Sequence, residues 1–409
     1  MKPLGPIPDG YHAIGGQLAI GAQSARDLVD AAGGTPLFVY SRAHIDRRVA
    51  ALRAAMPGQL AIHYAIKANP FPPLLAHMAT LVDGFDIASG GELAIVRDAG
   101  VDLADVSFAG PGKRDRELEA AVLSGITLNC ESENEAQRAL AIGDRVGRAP
   151  RIAVRVNPDF ELKGSGMKMG GGARQFGVDA ERVPALAKAI IAGGADWQGL
   201  HIFAGSQNLD AEAIAETQGK VLDLADSLAR AIGAGPLPKL NIGGGLGIPY
   251  FAGDVPVDIG IVGDRLGERF ADLPDSLAQT TMAMELGRYL VGEAGVYLCE
   301  VIDRKISHGE VFLITDGGLH HQLAASGNFG TVVRRNYPVA VANRFDAEPV
   351  ETANVVGCLC TPLDRLADKA FLPAARIGDL IAVFCAGAYG ATASPMMFLG
   401  QGAAREILV

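Results

Sequence analysis

His63-Tyr64-Ala65-Ile66-Lys67-Ala68-Asn69-Pro70 is a short apolar stretch, rich in β-formers, that ends on a lysine followed by small and turn-forming residues. Outward from it the same texture repeats. From about Thr35 to Gly245, short apolar strands alternate with amphipathic helical patterns. The strands read at 37–40, 60–66, 84–88, 106–109, 126–130, 152–156, 199–203 and 240–242. Helical spacing fills the intervals: Ile45, Val49 and Leu52 follow the candidate N-cap Ser41, and Leu118 and Val122 follow Asp115. Eight strands with seven crossovers predict an α/β fold, a closed (β/α)8 TIM barrel rather than an open doubly wound sheet.

After about Ser276 the texture changes. Strands read at 296–302, 311–315, 350–358 and 380–386 with Gly, Pro and Asp turns between them and no helices, which predicts a C-terminal all-β, β-barrel-like domain. The opening segment looks like a hairpin, 11–14 against 17–20 around Gly15-Gly16, and is assigned to the β domain. The expected division is therefore a barrel over 36–275 and a β domain over 1–35 and 276–409. Residues 159–177, DFELKGSGMKMGGGARQFG, form a glycine-rich loop of the length that functional lids have; a plain surface insertion is the competing reading.

At 409 residues the chain is long enough for two domains and a large core. A net charge of -10 and the lack of a basic run argue against nucleic acid or an anionic membrane as partner. No apolar run reaches the ~18 residues of a membrane span, and the first residues lack a signal-peptide core. The five cysteines, odd in number and mostly inside apolar runs, fit reduced thiols and a cytoplasmic setting.

In a barrel of this kind the active site lies at the C-terminal ends of the strands. Lys67 sits at such an end. Drying there depresses an ammonium pKa towards the range in which the amine attacks a carbonyl and holds it as a Schiff base. A solvated strand-end lysine is the plain alternative. Ile242-Gly243-Gly244-Gly245-Leu246-Gly247 lets backbone amides approach an anion without Cβ interference, as a phosphate cradle or simply as a tight turn. Met284-Glu285-Leu286-Gly287-Arg288-Tyr289 sets a carboxylate and a guanidinium three residues apart. Glu285 could keep a pyridine nitrogen protonated and Arg288 could grip a phosphate; a surface ion pair is the rival. Cys358-Leu359-Cys360 lacks the further His or Cys pair that zinc needs, so no metal is expected. Cys360 suits a proton-donating thiol, with Cys358 as a packed one. Tyr389, between small residues in Ala386-Gly387-Ala388-Tyr389-Gly390, suits close approach to a phosphate or burial in a core. A carbonyl-holding lysine, a pyridine partner and a phosphate cradle together are what pyridoxal 5'-phosphate requires.

Taken in order, HYAIKANP, FDIASGGEL, NCESENE, RVNPD, GSQ, NIGGGLG, ELGRYLV, VVGCLC with Asp364, and CAGAYG resemble one family. It is that of the pyridoxal-phosphate-dependent ornithine, arginine and diaminopimelate decarboxylases with an alanine-racemase-like barrel. The likeness runs from about residue 60 to 395. It implies that Lys67 carries the cofactor imine and Glu285 pairs with the pyridinium, so that the carboxylate leaves Cα and Cys360 returns a proton. Ser206, Gly244, Gly245, Arg288 and Tyr389 would bind phosphate. Asp86, Arg155, Phe203 and Gly243 join the cofactor-binding set, and His201 the catalytic one. Cys360 and Asp364 would reach the site from the partner subunit of a homodimer.

Three departures bear on substrate. The residue after the catalytic cysteine, usually acidic in decarboxylases of diamine-yielding substrates, is Thr361. Residues 316–325 lack the arginine with which diaminopimelate decarboxylases bind a distal carboxylate. The ring-stacking histidine of the family is Phe203, while the upstream His201 is kept. Thr361, Asp364, His320 and His321 are the candidate substrate-side residues, the two histidines competing with a plain surface reading. The loop GSGMKMGGG and HIFAGSQ also resemble the subgroup found with bacterial exosortase systems and relatives acting on amino acids tethered to an acyl carrier protein. A tethered or otherwise neutral-ended substrate would account for the missing charges. Diaminopimelate decarboxylation proper, racemisation and a silent binding role are the alternatives; Glu285 and Cys360 oppose racemisation.

Overall fold

The computed structural model describes residues 1–164, 166–168, 170–327 and 334–409. Ser165 and Met169 of the glycine-rich loop lie outside the described residues. The chain divides into two compact units, one of residues 49–247 and 257–287, the other of 1–48, 248–256 and 288–409.

In the first unit eight parallel strands close on themselves: Ala61–Ala65, Gly84–Ile87, Val106–Phe108, Thr127–Cys130, Arg151–Asn157, Asp196–Ile202, Lys239–Asn241 and Thr281–Leu286. Closure comes from Ala283–Leu286 lying in parallel register with Ala61–Tyr64. Strands such as Gly84–Ile87 and Thr127–Cys130 are buried along their whole length, the polar Asp86, Thr127 and Asn129 included. The crossovers start where the sequence offers caps. Ser132 accepts from the Glu135 amide at the head of helix Glu133–Val146, which buries Ala136, Ala139 and Ile142 and ends on left-handed Gly147.

The boundary expectation needs correction at both ends. Leu37–Tyr40 is not a barrel strand: it pairs antiparallel with Gly295–Leu298 and parallel with Arg405–Leu408. Thr281–Leu286, expected in the β domain, is the strand that closes the barrel. A four-residue apolar run buried on both faces looks the same in either setting, so periodicity could not assign Leu37–Tyr40.

In the second unit a mixed sheet follows the path Val339–Val341, Leu380–Val383, Gly295–Ser307, Glu310–Thr315, Glu351–Val356, Arg365–Leu372. The strands at 339–341, 365–372 and 405–408 had no counterpart in the sequence reading. The hairpin His12–Ile14 with Gln17–Ile20 is present, and Leu18 and Ile20 enter a core with Leu37, Val39, Val296, Leu298, Leu380 and Phe384. Among the described residues no helix is long and apolar enough to cross a membrane.

Candidate active site

Strand ends bring Lys67, Glu285, His201, Phe203 and Arg155 together at one mouth of the barrel. Lys67 stands in a one-turn 3-10 segment, Ile66–Ala68, immediately after its strand. Its Nζ is 3.6 Å from Glu285 Oε1 and 5.7 Å from the centre of the Phe203 ring. The Lys67 side chain is 42% exposed, so the dry strand end expected from sequence is not its setting; a facing carboxylate is. Glu285 is 7% exposed, and His201 Nε2 lies 2.9 Å from its other oxygen. Burial alone would raise the Glu285 pKa. Lys67, His201 and Arg155 outweigh it and hold the carboxyl well below the usual range, fully ionised.

Beside this cluster the glycine turn is shaped by close packing. A Cβ on Gly244 would overlap the Glu285 carbonyl, and Gly243 and Gly245 have φ of 74° and 103°, which favour glycine. Glu285 N donates to Gly243 O and Asn208 N to Gly245 O, so the turn is stitched to two neighbouring strand ends. The amides of Gly244 and Gly245 donate to no described residue. Ser206 lies in a two-residue strand, Gly205–Ser206, paired with Met167–Lys168 of the glycine-rich loop.

Asp86, expected on the cofactor, faces the barrel interior instead. It accepts from Ser107 Oγ, its second oxygen is 3.6 Å from His63 Nδ1, and Asn129 donates to Ser107 in turn. Its place opposite Ala65, two residues before Lys67, explains the inward aim. Arg155 Nη1 donates at 2.9 Å to Glu131, a buried carboxylate at the end of the next strand.

The remaining predicted residues belong to the β unit. Arg288 is sandwiched by aromatic rings, its guanidinium 4.7 Å from the centre of Tyr389 and 5.5 Å from that of Tyr250, and it donates to Tyr250 Oη at 2.7 Å. Its Nε has no hydrogen-bond partner among the described residues. Tyr389 adopts φ of 59°, uncommon for a bulky residue and typical of a constrained functional turn. Cys360 is exposed on the turn between strands Glu351–Val356 and Arg365–Leu372. Thr361 spends its hydroxyl oxygen inside that turn, accepting from Leu363 N at 3.3 Å.

Two substrate-side expectations are corrected here. Asp364 is 2% exposed and both its oxygens are taken, by Leu319 N at 2.7 Å and Leu359 N at 2.8 Å. It ties the Cys360 turn to the Gly317-Gly318 turn, and a Cβ on Gly318 or Gly357 would overlap it. His321 is a satisfied core histidine. Its Nε2 faces the Gly402 carbonyl, which only accepts, so Nε2 carries the proton and Nδ1 accepts from Tyr297 Oη at 2.9 Å. Burial pushes its pKa down to about 4, which keeps the ring neutral. The His320 ring packs tilted against it with ring centres 3.9 Å apart, is fully buried, and has neither ring nitrogen hydrogen-bonded among the described residues. The surface reading fails for both. Sequence reasoning gave Glu131 no role beyond its place at a strand end and did not single out Tyr250, which holds Arg288. Glu131 stands in the NCESENE motif, so a strand-end signal was available; nothing local in sequence ties Tyr250 to Arg288.

The donor set fits pyridoxal phosphate: an amine for the aldehyde, an ionised carboxylate for the pyridine nitrogen, a buried phenyl face for the ring, and unpaired amides for the phosphate. Comparison with known proteins agrees. Residues 42–292 match the family described as pyridoxal-dependent decarboxylase, pyridoxal binding domain. The chain is 36% identical over 384 residues to the L-glutamyl-[BtrI acyl-carrier protein] decarboxylase of Niallia circulans, covering 91% of this chain and 88% of that protein. It is 34% identical to the diaminopimelate decarboxylase of Archaeoglobus fulgidus over 92% of this chain and 88% of the relative. The solved diaminopimelate decarboxylase of Helicobacter pylori, complexed with L-lysine, superposes with a TM-score of 0.81 at 26% identity and covers 94% of each chain.

Proposed function

The chain belongs to the family of pyridoxal-dependent decarboxylases, and from that premise we propose that its substrate is an amino acid presented without a free distal charge, as when tethered to an acyl carrier protein. The enzyme is a pyridoxal-phosphate-dependent amino-acid decarboxylase. When bound, the cofactor supplies an electron sink for the pair left by the broken Cα–carboxylate bond.

In this reading Lys67 is the amine that holds the cofactor's aldehyde. The observation that carries it is the Glu285 carboxylate, buried and kept ionised, with Lys67 at 3.6 Å and His201 at 2.9 Å. An ionised carboxylate holds a proton on a pyridine nitrogen; an arginine there could not. His201 restrains the second carboxylate oxygen, and Phe203 offers a flat apolar face that neither donates nor takes a proton. Gly244, Gly245 and Ser206 serve the phosphate. The reaction consumes one proton at Cα, and Cys360 of the partner subunit of a homodimer delivers it, its thiol being re-protonated from solvent.

The substrate class rests on what the distal readers have lost. Thr361 carries no charge, and Asp364 is committed to two backbone amides. A distal ammonium taken from water without a carboxylate partner loses about 2–3 kcal/mol of charge-assisted bonding. The similarity to a carrier-protein glutamyl decarboxylase supports the same reading, and the similarity to diaminopimelate decarboxylases supports the rival, a free diamino acid. The test is CO2 release from a panel of free amino acids beside an acyl carrier protein loaded with L-glutamate. Turnover of the loaded carrier protein is expected. Efficient CO2 release from free meso-diaminopimelate or ornithine would overturn the assignment.

A further inference from the structure

Glu131 ends the strand Thr127–Cys130 and is almost wholly enclosed, its side chain 2% exposed. Three donors converge on it. Oε1 accepts from Gly110 N at 2.5 Å and from Arg155 Nη1 at 2.9 Å, and Oε2 accepts from Gly177 N at 3.0 Å. The three come from different places: the loop after Val106–Phe108, the strand Arg151–Asn157, and the end of the glycine-rich segment.

We propose that Glu131 is a positioning residue of the active site, its one carboxylate aiming Arg155 at the barrel mouth and pinning the C-terminal foot of the glycine-rich segment to the same rim. Its Gly110 side is rigid. Lys113, buried, donates to Gly110 O at 2.8 Å, Asn129 O at 2.9 Å and Glu135 Oε1 at 2.6 Å. Its Gly177 side is a docked contact. Gly177 has φ of 74° and lies flat on the strand end, where a Cβ would crowd Asn157 N, and the Phe176 ring stacks 4.9 Å from the Arg155 guanidinium. The segment's seat and Arg155's aim therefore depend on the same two oxygens. Arg155 is one of the cations that keep Glu285 ionised, so the arrangement extends to the pyridine partner; that last link rests on the role given to Glu285 above.

Glutamine at this position keeps one oxygen. Two donors claim the Oε1 place, so the amide NH2 turns towards Gly177 N–H and the foot loses its acceptor. In the pyridoxal-phosphate-loaded enzyme, Glu131→Gln should speed tryptic cleavage at exposed Arg174 at least tenfold. Substrate-free absorbance supplies the second readout. Removing the anion leaves Arg155 uncompensated, so the pH midpoint of the bound cofactor's visible band moves down in Glu131→Gln; removing the cation moves it up in Arg155→Met. A threefold change in proton affinity is expected each way. Unchanged cleavage in Glu131→Gln, or midpoints that shift in the same direction, would overturn the proposal. Because the glutamine variant can misfold, Gly177 amide exchange in the unmutated holoenzyme stands beside it: protection comparable to the barrel strands is expected, and rapid exchange sinks the idea. If Glu285 proves dispensable, the cleavage and exchange results still stand and only the link to the pyridine partner falls.

Discussion

Asp364→Asn separates a structural carboxylate from a substrate reader. The carboxylate accepts two buried backbone amides, Leu319 N and Leu359 N, one on each oxygen. Asparagine keeps one acceptor and sets an NH2 against the other N–H. A buried donor left without a partner costs about 1–3 kcal/mol. Relief of a buried charge offsets part of this, since burial raises the Asp364 pKa against the pull of the two amides. A net loss of about 1–2 kcal/mol follows, and at roughly 2–4 °C per kcal/mol for a domain of this size Tm falls by about 2–8 °C. The same change loosens the turn that displays Cys360, so CO2 release falls as well. Cys360→Ser is the paired control: the thiol is exposed, its replacement leaves Tm within about 1 °C, and only activity drops. The assays are differential scanning calorimetry and CO2 release on both variants. An Asp364→Asn enzyme with unchanged Tm and an altered choice among amino acids would refute the reasoning and restore Asp364 to the substrate side.

Glu285→Gln removes the ionised partner of the pyridine nitrogen; a charge-assisted bond of about 1.5–3 kcal/mol translates to a kcat lower by roughly 10- to 100-fold with KM little moved, and kinetics within threefold of wild type would contradict the assignment. Lys67→Ala should abolish the borohydride-sensitive visible absorbance of the cofactor-loaded protein, read by spectrophotometry before and after reduction; a surviving band places the cofactor on another lysine. Burial would lower the His63 pKa, but Asp86 at 3.6 Å raises it above its ordinary 6.5. A raised folded-state pKa means that the pair's stabilisation is complete below pH 6.5 and is lost as pH climbs through the raised value. His63→Asn should therefore lower Tm at pH 6 and flatten its decline towards higher pH; parallel wild-type and variant profiles would show that the pair contributes nothing.

What the sequence made legible was whatever strand-end chemistry imposes locally. Lys67, Glu285, His201 and the glycine turn are each fixed by the strand that carries them, and seven of the eight barrel strands were readable as apolar runs between helical patterns. The losses came from long-range pairing. Leu37–Tyr40 is apolar for either unit, and only its register with Gly295–Leu298 and Arg405–Leu408 decides. Asp364 and His321 show the same limit in side chains. A polar residue in a loop motif reads as available for substrate until its partners are known, and here those partners are Leu319, Tyr297 and Gly402, which sequence distance hides. The chemistry of a buried polar group is set by which bonds remain unmade. By that measure His320, buried with both ring nitrogens unpaired among the described residues, is a stronger substrate-side candidate in this β unit than Asp364 or His321, and His320→Phe, which keeps the ring and removes the nitrogens, is the change that would show it. Unaltered KM and substrate choice in that variant would leave the histidine as packing alone.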